Sequence, residues 1–161
     1  PKDLENMDIN FILLRYSDVL LMYAEAVNEV DGQLDQLGID CLNQVRRRAY
    51  GYAPNTANSE IDFTIADFPD QKSVRDYLFV ERARELCFEG LRRYDLIRWN
   101  KLADTLDDFA TKFNAAVADG TLKSYVWAAG KYFEAGKHEL YPIPAYEIRE
   151  TKGSLVQNPK Y

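Results

Sequence analysis

The chain has 161 residues, 20 Lys and Arg against 26 Asp and Glu for a net charge of −6, and 47% hydrophobic residues. A chain this long buries roughly 70% of the surface its unfolded form exposes, so it needs neither disulfides nor a metal to hold a core. The acid excess without a basic face excludes nucleic acid as a partner, and the longest apolar run, Val19 to Ala24, is far short of the roughly 18 residues of a membrane span.

The opening residues 1–18 have neither the basic region nor the apolar region of a signal peptide. With Pro at position 1, the chain is expected to be a piece of a longer protein, and its compartment is left open. From Arg15 to Val30, the apolar residues Val19, Met22, Tyr23, Ala26 and Val30 recur at steps of three and four, which predicts one helix with a buried face. Ser17 or Asp18 is the expected cap, and Gly32 follows the end. Ile39, Leu42, Val45 and Ala49 predict a second helix closed by Gly51. Its C-terminal Arg46, Arg47 and Arg48 suit the helix dipole, and the pair reads as an antiparallel hairpin over 15–51.

Residues 51–71 carry two prolines, several Asn, Asp and Ser, and no helical period. They predict an irregular loop of a length that is uncommon and often functional. Ser73 is the expected cap of a third helix ending at Gly90. Leu91 to Phe109 reads as a fourth, with its period running to about Ala118 before Asp119-Gly120, and the two make a second hairpin over 73–118. In the tail, 119–161, Tyr141-Pro142-Ile143-Pro144 must be extended because proline fixes its own φ and keeps the preceding residue out of the helical region. Ala145 to Arg149 predicts one short helical turn, and the tail is expected to wrap the helices. Removing the long loop brings the spacing of the two hairpins close to the 34 residues of a tetratricopeptide unit. The expected fold is all-α, with degenerate tetratricopeptide-like hairpins and an aromatic-rich irregular tail.

Cys41 and Cys87 lack C-x-x-C spacing and read as two buried small hydrophobes. Glu81, Glu85 and Glu89 fall at i, i+4 and i+8 in a segment whose apolar residues surround the helix, which predicts a buried helix. Stacked buried carboxylates need cations. A dinuclear metal site would want two Glu-x-x-His pairs, whereas the chain has one histidine, His138. The alternative is a buried lattice with Arg82, Arg84, Arg92, Arg93 and Arg98, whose guanidinium forks suit carboxylates. No nucleophile and base set, phosphate loop, dinucleotide fingerprint or zinc-protease helix occurs, so no catalytic residue, metal ligand or cofactor is assigned. Calcium finds no EF-hand spacing.

The run Glu81-Arg82-Ala83-Arg84-Glu85-Leu86-Cys87-Phe88-Glu89-Gly90-Leu91-Arg92-Arg93-Tyr94-Asp95-Leu96-Ile97-Arg98-Trp99 closely resembles the ERxxELxFEGxRxxDLxRW signature of the SusD/RagB family. Arg15 to Glu29, Leu42 to Gly51, and the closing LYPIPAYEI and LVQNPKY agree in the same order. Gly38 and Cys41 stand where small residues such as Ala are usual, and Lys160 replaces the Gly of a terminal QNPGY.

The resemblance implies the C-terminal portion of a surface-exposed outer-membrane lipoprotein of Bacteroidota. Such a protein binds an oligosaccharide and delivers it to a SusC-like TonB-dependent transporter. Its membrane contact is a lipid anchor in an N-terminal part not present here, and it is not an enzyme. The alternatives are a peptide-binding member of the same family and a helical scaffold half that docks the transporter without touching ligand. The signature residues Glu81, Arg82, Glu85, Glu89, Arg92, Asp95 and Arg98 are read as structural. Aromatic faces that stack on sugar rings are sought in Tyr125, Trp127, Tyr132 and Phe133, then in Tyr52, Asn55 and Asn58 of the long loop. An exposed Trp127 favours a receptor role, and a buried one favours a scaffold.

Overall fold

The computed structural model describes residues 12–123 and 130–161. Every helix and strand assignment among them is helical: α1 (Tyr16–Asp31), α2 (Gln36–Ala49), α3 (Gln71–Glu85), α4 (Arg92–Arg98), α5 (Leu102–Ala118) and α6 (Ala145–Glu150), with a 3-10 turn at Ile65–Asp67. The all-α class expected from sequence is the observed one. The chain divides into two compact units, one ending at Gly90 and one beginning at Leu91.

In the first unit, α1 stops where Gly32 takes φ +76 and its N–H caps the Asn28 carbonyl at 3.1 Å. Glycine reaches that left-handed conformation without steric cost. Three residues after Gly32, Asp35 caps α2, its carboxylate accepting the Gly38 N–H at 2.6 Å. So short a link returns α2 antiparallel along α1, and α3 packs on α1 as well. Leu20, Leu21 and Ala24 of α1 meet Ile39, Leu42 and Val45 of α2 and Val74 and Leu78 of α3 in one core.

The buried face of α1 differs from the expected stripe. Leu20, Leu21, Ala24 and Asn28 are buried, while Val19, Met22 and Val30 are exposed. Both sets have helical spacing, because α1 is apolar around most of its circumference. Packing of α2 and α3, invisible to periodicity, selects between them. Nor do Ser17 and Asp18 cap the helix. Arg15 is the extended N-cap residue, without a side-chain cap, and Ser17 and Asp18 lie buried inside the first turn, where Asp18 faces a cation from α3.

The loop after α2 is irregular but tied down. Arg47 forks onto Asp62 at 2.7 and 2.5 Å and reaches the Pro54 carbonyl at 2.9 Å. The Asn43 amide accepts from the Phe63 N–H at 2.7 Å and donates to the Phe63 carbonyl at 2.9 Å, acting as one rung of a strand. Phe63, Phe68 and Tyr77 meet edge to face with centroids 5.1 to 5.4 Å apart, an arrangement the ring quadrupoles favour.

α3 starts at Gln71, ahead of the expected Ser73. Asp70 is the cap, and it exchanges hydrogen bonds with Ser73 in a capping box. The helix is not buried all round: within it only Val74, Leu78 and Arg82 are buried, Val80 is exposed, and the helix ends at Glu85, short of Gly90. Beyond it Phe88, at φ +64, is fully exposed. Cys41 is buried as expected but Cys87 is exposed, because it falls in the turn after α3 instead of on a helix face.

In the second unit, the expected helix from Leu91 to Phe109 is two helices. Asn100 takes φ +53 and the Lys101 N–H bonds back to the Leu96 carbonyl at 2.7 Å. Asparagine is among the few residues that tolerate this left-handed turn, so α4 ends there and α5 begins anew. Gly130, at φ +87, lies against α5 so closely that a Cβ would come within 2.8 Å of the Leu106 Cβ.

The tail carries the expected extended run and short helical turn. Residues 141–144 are extended and lead into α6. The closing segment clips onto them: the Gln157 side chain accepts from the Ile143 N–H at 2.8 Å and donates to its carbonyl at 2.9 Å, Asn158 donates to the Tyr141 carbonyl at 2.7 Å, and the Tyr161 hydroxyl donates to the Leu140 carbonyl at 3.0 Å. The two terminal sequence motifs are thus halves of one hydrogen-bonded device.

Lys160 sits at φ +65, where glycine would be at ease, but its ammonium reaches the Ala135 carbonyl at 2.5 Å and Glu134 at 3.3 Å. Lys160→Ala keeps the strained backbone and loses both contacts, whereas Lys160→Gly loses the contacts but relieves the strain. Thermal unfolding is therefore expected to place the Gly variant about 1 kcal/mol above the Ala variant; equal stabilities would mean that the left-handed turn costs nothing.

Candidate functional site

The signature glutamates of the first unit are joined to α1 and α2. The Glu85 side chain, only 5% exposed, meets Arg15 at 2.5 Å and Arg48 at 2.5 Å. Arg15 also chelates Glu89 through its Nε at 2.8 and 3.0 Å, donates to the Ser17 hydroxyl, and donates to the Glu85 carbonyl. Burial pushes the Glu85 carboxyl up, but the hydrogen bonds from Arg15 and Ser17 and the charges of Arg15 and Arg48 outweigh it and hold the group below its ordinary value. Hydrogen bonding to Glu89, against the cost of burial, holds the Arg15 guanidinium firmly protonated.

Arg82 pairs with Asp18 at 2.7 Å, both side chains being less than a tenth exposed. Glu81 differs from Glu85: burial raises its carboxyl despite Arg84 and the Tyr77 hydroxyl. The described ion-pair partners of Glu85, Glu89 and Arg82 are Arg15, Arg48 and Asp18, with the Ser17 hydroxyl beside them. Local sequence could not reveal residues 37 to 74 positions away.

The second unit holds the remaining signature residues. Asp95 is buried on α4 and bonds Arg98 at 2.9 Å, Arg98 lies over the Trp99 ring at 4.4 Å, and Arg92 is the half-buried first residue of α4.

Two surfaces are candidates for a ligand. In the first unit, a cleft of about 390 Å³ lies between the start of α1, the middle of α2 and the long loop, lined by Tyr16, Gln44, Arg48, Pro54 and Asn55 among others. Its size falls in the range of small-molecule sites. Of the loop candidates it gathers Asn55. Tyr52 is exposed, and Asn58 is spent on the turn, where its N–H donates to Asp62 at 2.8 Å and its side chain accepts from Glu60 at 3.1 Å. Tyr16, Gln44 and Arg48 were not anticipated. Tyr16, 69% exposed, was detectable as an aromatic lying outside the apolar stripe of its helix.

In the second unit the tail displays aromatic faces. Tyr132 and Tyr141 are 66% and 68% exposed, with Lys131 5.4 Å from one ring and Arg93 5.1 Å from the other. Phe133, by contrast, is half-buried and turned toward the His138 ring at 6.0 Å. Tyr125 and Trp127 lie outside the described residues.

The family model described as the SusD family matches residues 2–161. The chain is 35% identical over 108 residues to SusD-like protein P25 of Formosa agariphila, covering 67% of this chain and 19% of that protein. It is 28% identical over 152 residues to SusD-like protein P2 of the same organism, covering 94% of this chain and 26% of that one. Among solved structures, a SusD homolog from Bacteroides thetaiotaomicron superposes with a TM-score of 0.72 at 34% identity, over 97% of this chain and 29% of that one. A SusD superfamily protein from Parabacteroides distasonis gives 0.62 at 26% identity, over 99% and 29%. The chain therefore spans between a fifth and a third of the length of the proteins it matches.

Proposed function

This chain belongs to the SusD family, and on that premise we propose that it is the C-terminal portion of a cell-surface lipoprotein that binds an oligosaccharide nutrient and hands it to a TonB-dependent outer-membrane transporter. The family's members bind ligands and do not transform them, so the chain acts by capture.

The observation that carries the reading is the exposed aromatic surface of the tail. Tyr132 and Tyr141 are exposed, and Lys131 and Arg93 lie over their rings, cations placed where the hydroxyl oxygens of a stacked sugar would come. A sugar ring laid on tyrosine buries its C–H face while its rim stays hydrogen-bonded, the combination such a site requires. Among the described residues no helix is long and apolar enough to cross a membrane.

The scaffold reading has its own observation: Tyr16, Val19, Met22 and Val30 of α1 are exposed, a side suited to packing against protein. Calorimetric titration of the full-length protein with oligosaccharides and peptides separates the two. Tyr132→Ala and Tyr141→Ala are each expected to weaken oligosaccharide binding by about tenfold, roughly 1.4 kcal/mol. Unchanged affinity in both variants would move recognition off this surface, to the cleft of the first unit or to the rest of the protein. A peptide-only response would assign the protein to the peptide-binding branch.

A further inference from the structure

The cleft of the first unit has walls whose polar groups the fold leaves unspent. Tyr16, on the first turn of α1, is exposed. Neither its hydroxyl nor the side-chain amides of Gln44 and Asn55 have a hydrogen-bond partner among the described residues. Arg48 commits Nη2 to Glu85 and keeps Nε and Nη1 open. Leu20 and Val45, both buried, close the cleft with apolar surface. The loop wall is already in place: Arg47, paired with Asp62, donates to the Pro54 carbonyl at 2.9 Å, and the Thr56 N–H bonds the Ala53 carbonyl at 3.2 Å, so Asn55 sits on a tied turn. A wall ordered in advance loses little freedom when a ligand arrives.

We propose that this cleft is a second binding site, taking a neutral sugar unit of an oligosaccharide with its C–H face on Tyr16 and its hydroxyls on Gln44, Asn55 and Arg48.

Charge decides the class of ligand. The cations at the cleft, Arg15 and Arg48, are matched by the carboxylates Glu85 and Glu89, and all three Arg15 guanidinium nitrogens are committed to Glu85, Glu89 and Ser17. An anion would have to draw Arg48 away from Glu85, whose side chain is nearly inaccessible, and would leave that carboxylate short of positive charge. A neutral ligand leaves the lattice whole. What the cleft then offers is one aromatic ring, two amides that each donate and accept, and the open N–H groups of a guanidinium, a set that matches a ring with an apolar face and a rim of hydroxyls. Its volume of about 390 Å³ has room for such a ring. The proposal takes its class of ligand from the capture reading but does not depend on the aromatic tail, which lies in the other unit.

The test is hydrogen exchange of the full-length protein, followed in peptides covering residues 52–57. Neutral gluco-, galacto-, manno- and xylo-oligosaccharides are added in turn, with oligogalacturonides as the anionic counterpart. At least one neutral oligosaccharide is expected to slow exchange there by about threefold or more, and the oligogalacturonides are expected to have no effect. Tyr16→Ala is expected to lose the protection and Tyr16→Phe, which keeps the ring, to retain it. Both should unfold thermally as wild type does, because the side chain they alter is exposed and unbonded. Protection that survives in Tyr16→Ala, or that oligogalacturonides give equally, overturns the proposal. Protection of tail amides by a sugar with none at 52–57 overturns the cleft site alone and leaves the tail reading standing. Calorimetry that finds no saccharide bound anywhere removes the capture reading, and this site with it.

Discussion

Replacing Arg82 with Met is expected to lower stability by about 3 to 5 kcal/mol, because Asp18 would remain buried with its charge unanswered. The pair lies at 2.7 Å with both side chains nearly inaccessible, so water cannot take over the role of the guanidinium. Combining Arg82→Met with Asp18→Leu is expected to recover most of the loss, since apolar side chains of similar volume often match or exceed a buried pair. Urea unfolding of wild type, both single variants and the double variant forms a cycle that measures the coupling. Additive effects would mean that the two groups do not depend on one another.

The second large effect concerns Glu85, whose carboxylate joins the first residue before α1 to the last turn of α2. Glu85→Ala is expected to cost about 2 to 4 kcal/mol, as Arg48 loses its partner and Arg15 keeps only Glu89 among its carboxylates. The pH dependence follows from the sign of the shift. The folded-state value of Glu85 is lowered, so its contribution is present above the unfolded value of about 4.3 and lost as pH falls through the lower folded value. Asp62, held down first by its hydrogen bond from Arg47, acts in the same direction. Glu81 is opposite: its raised carboxyl favours the folded state in acid and loses that contribution as pH rises. Stability measured between about pH 5 and pH 2 should therefore decline steeply in wild type and less steeply in Glu85→Ala. Parallel curves would remove Glu85 from the acid transition.

The sequence revealed the class and most helix ends because those depend on neighbours. Gly32 at the end of α1, Asp119-Gly120 after α5 and the prolines around Ile143 act within a few residues of themselves. It misplaced the buried face of α1 because two overlapping stripes, Val19-Met22-Val30 and Leu20-Leu21-Ala24, satisfy the same period, and only α2 and α3 decide between them. It joined α4 to α5 because Asn100 is a weak breaker in sequence but takes a left-handed turn when Lys101 can bond back to Leu96. The candidate site was legible to the same extent. The glutamates of α3 announced a need for cations, yet Arg15 and Arg48 are supplied by distant segments. The aromatic tail announced exposed rings, yet composition could not separate Tyr132, which faces solvent, from Phe133, which turns toward His138.

The clips that close the tail have a further meaning. Gln157, Asn158 and Tyr161 grip carbonyls and an N–H of the main chain at 140, 141 and 143, so the anchoring does not depend on which side chains those gripped residues carry. Tyr141 and Tyr146, both exposed, can therefore be exchanged without undoing the clasp. Such a frame separates inheritance from invention: the clasp passes on the path of the chain, and the outward residues along it are open to change.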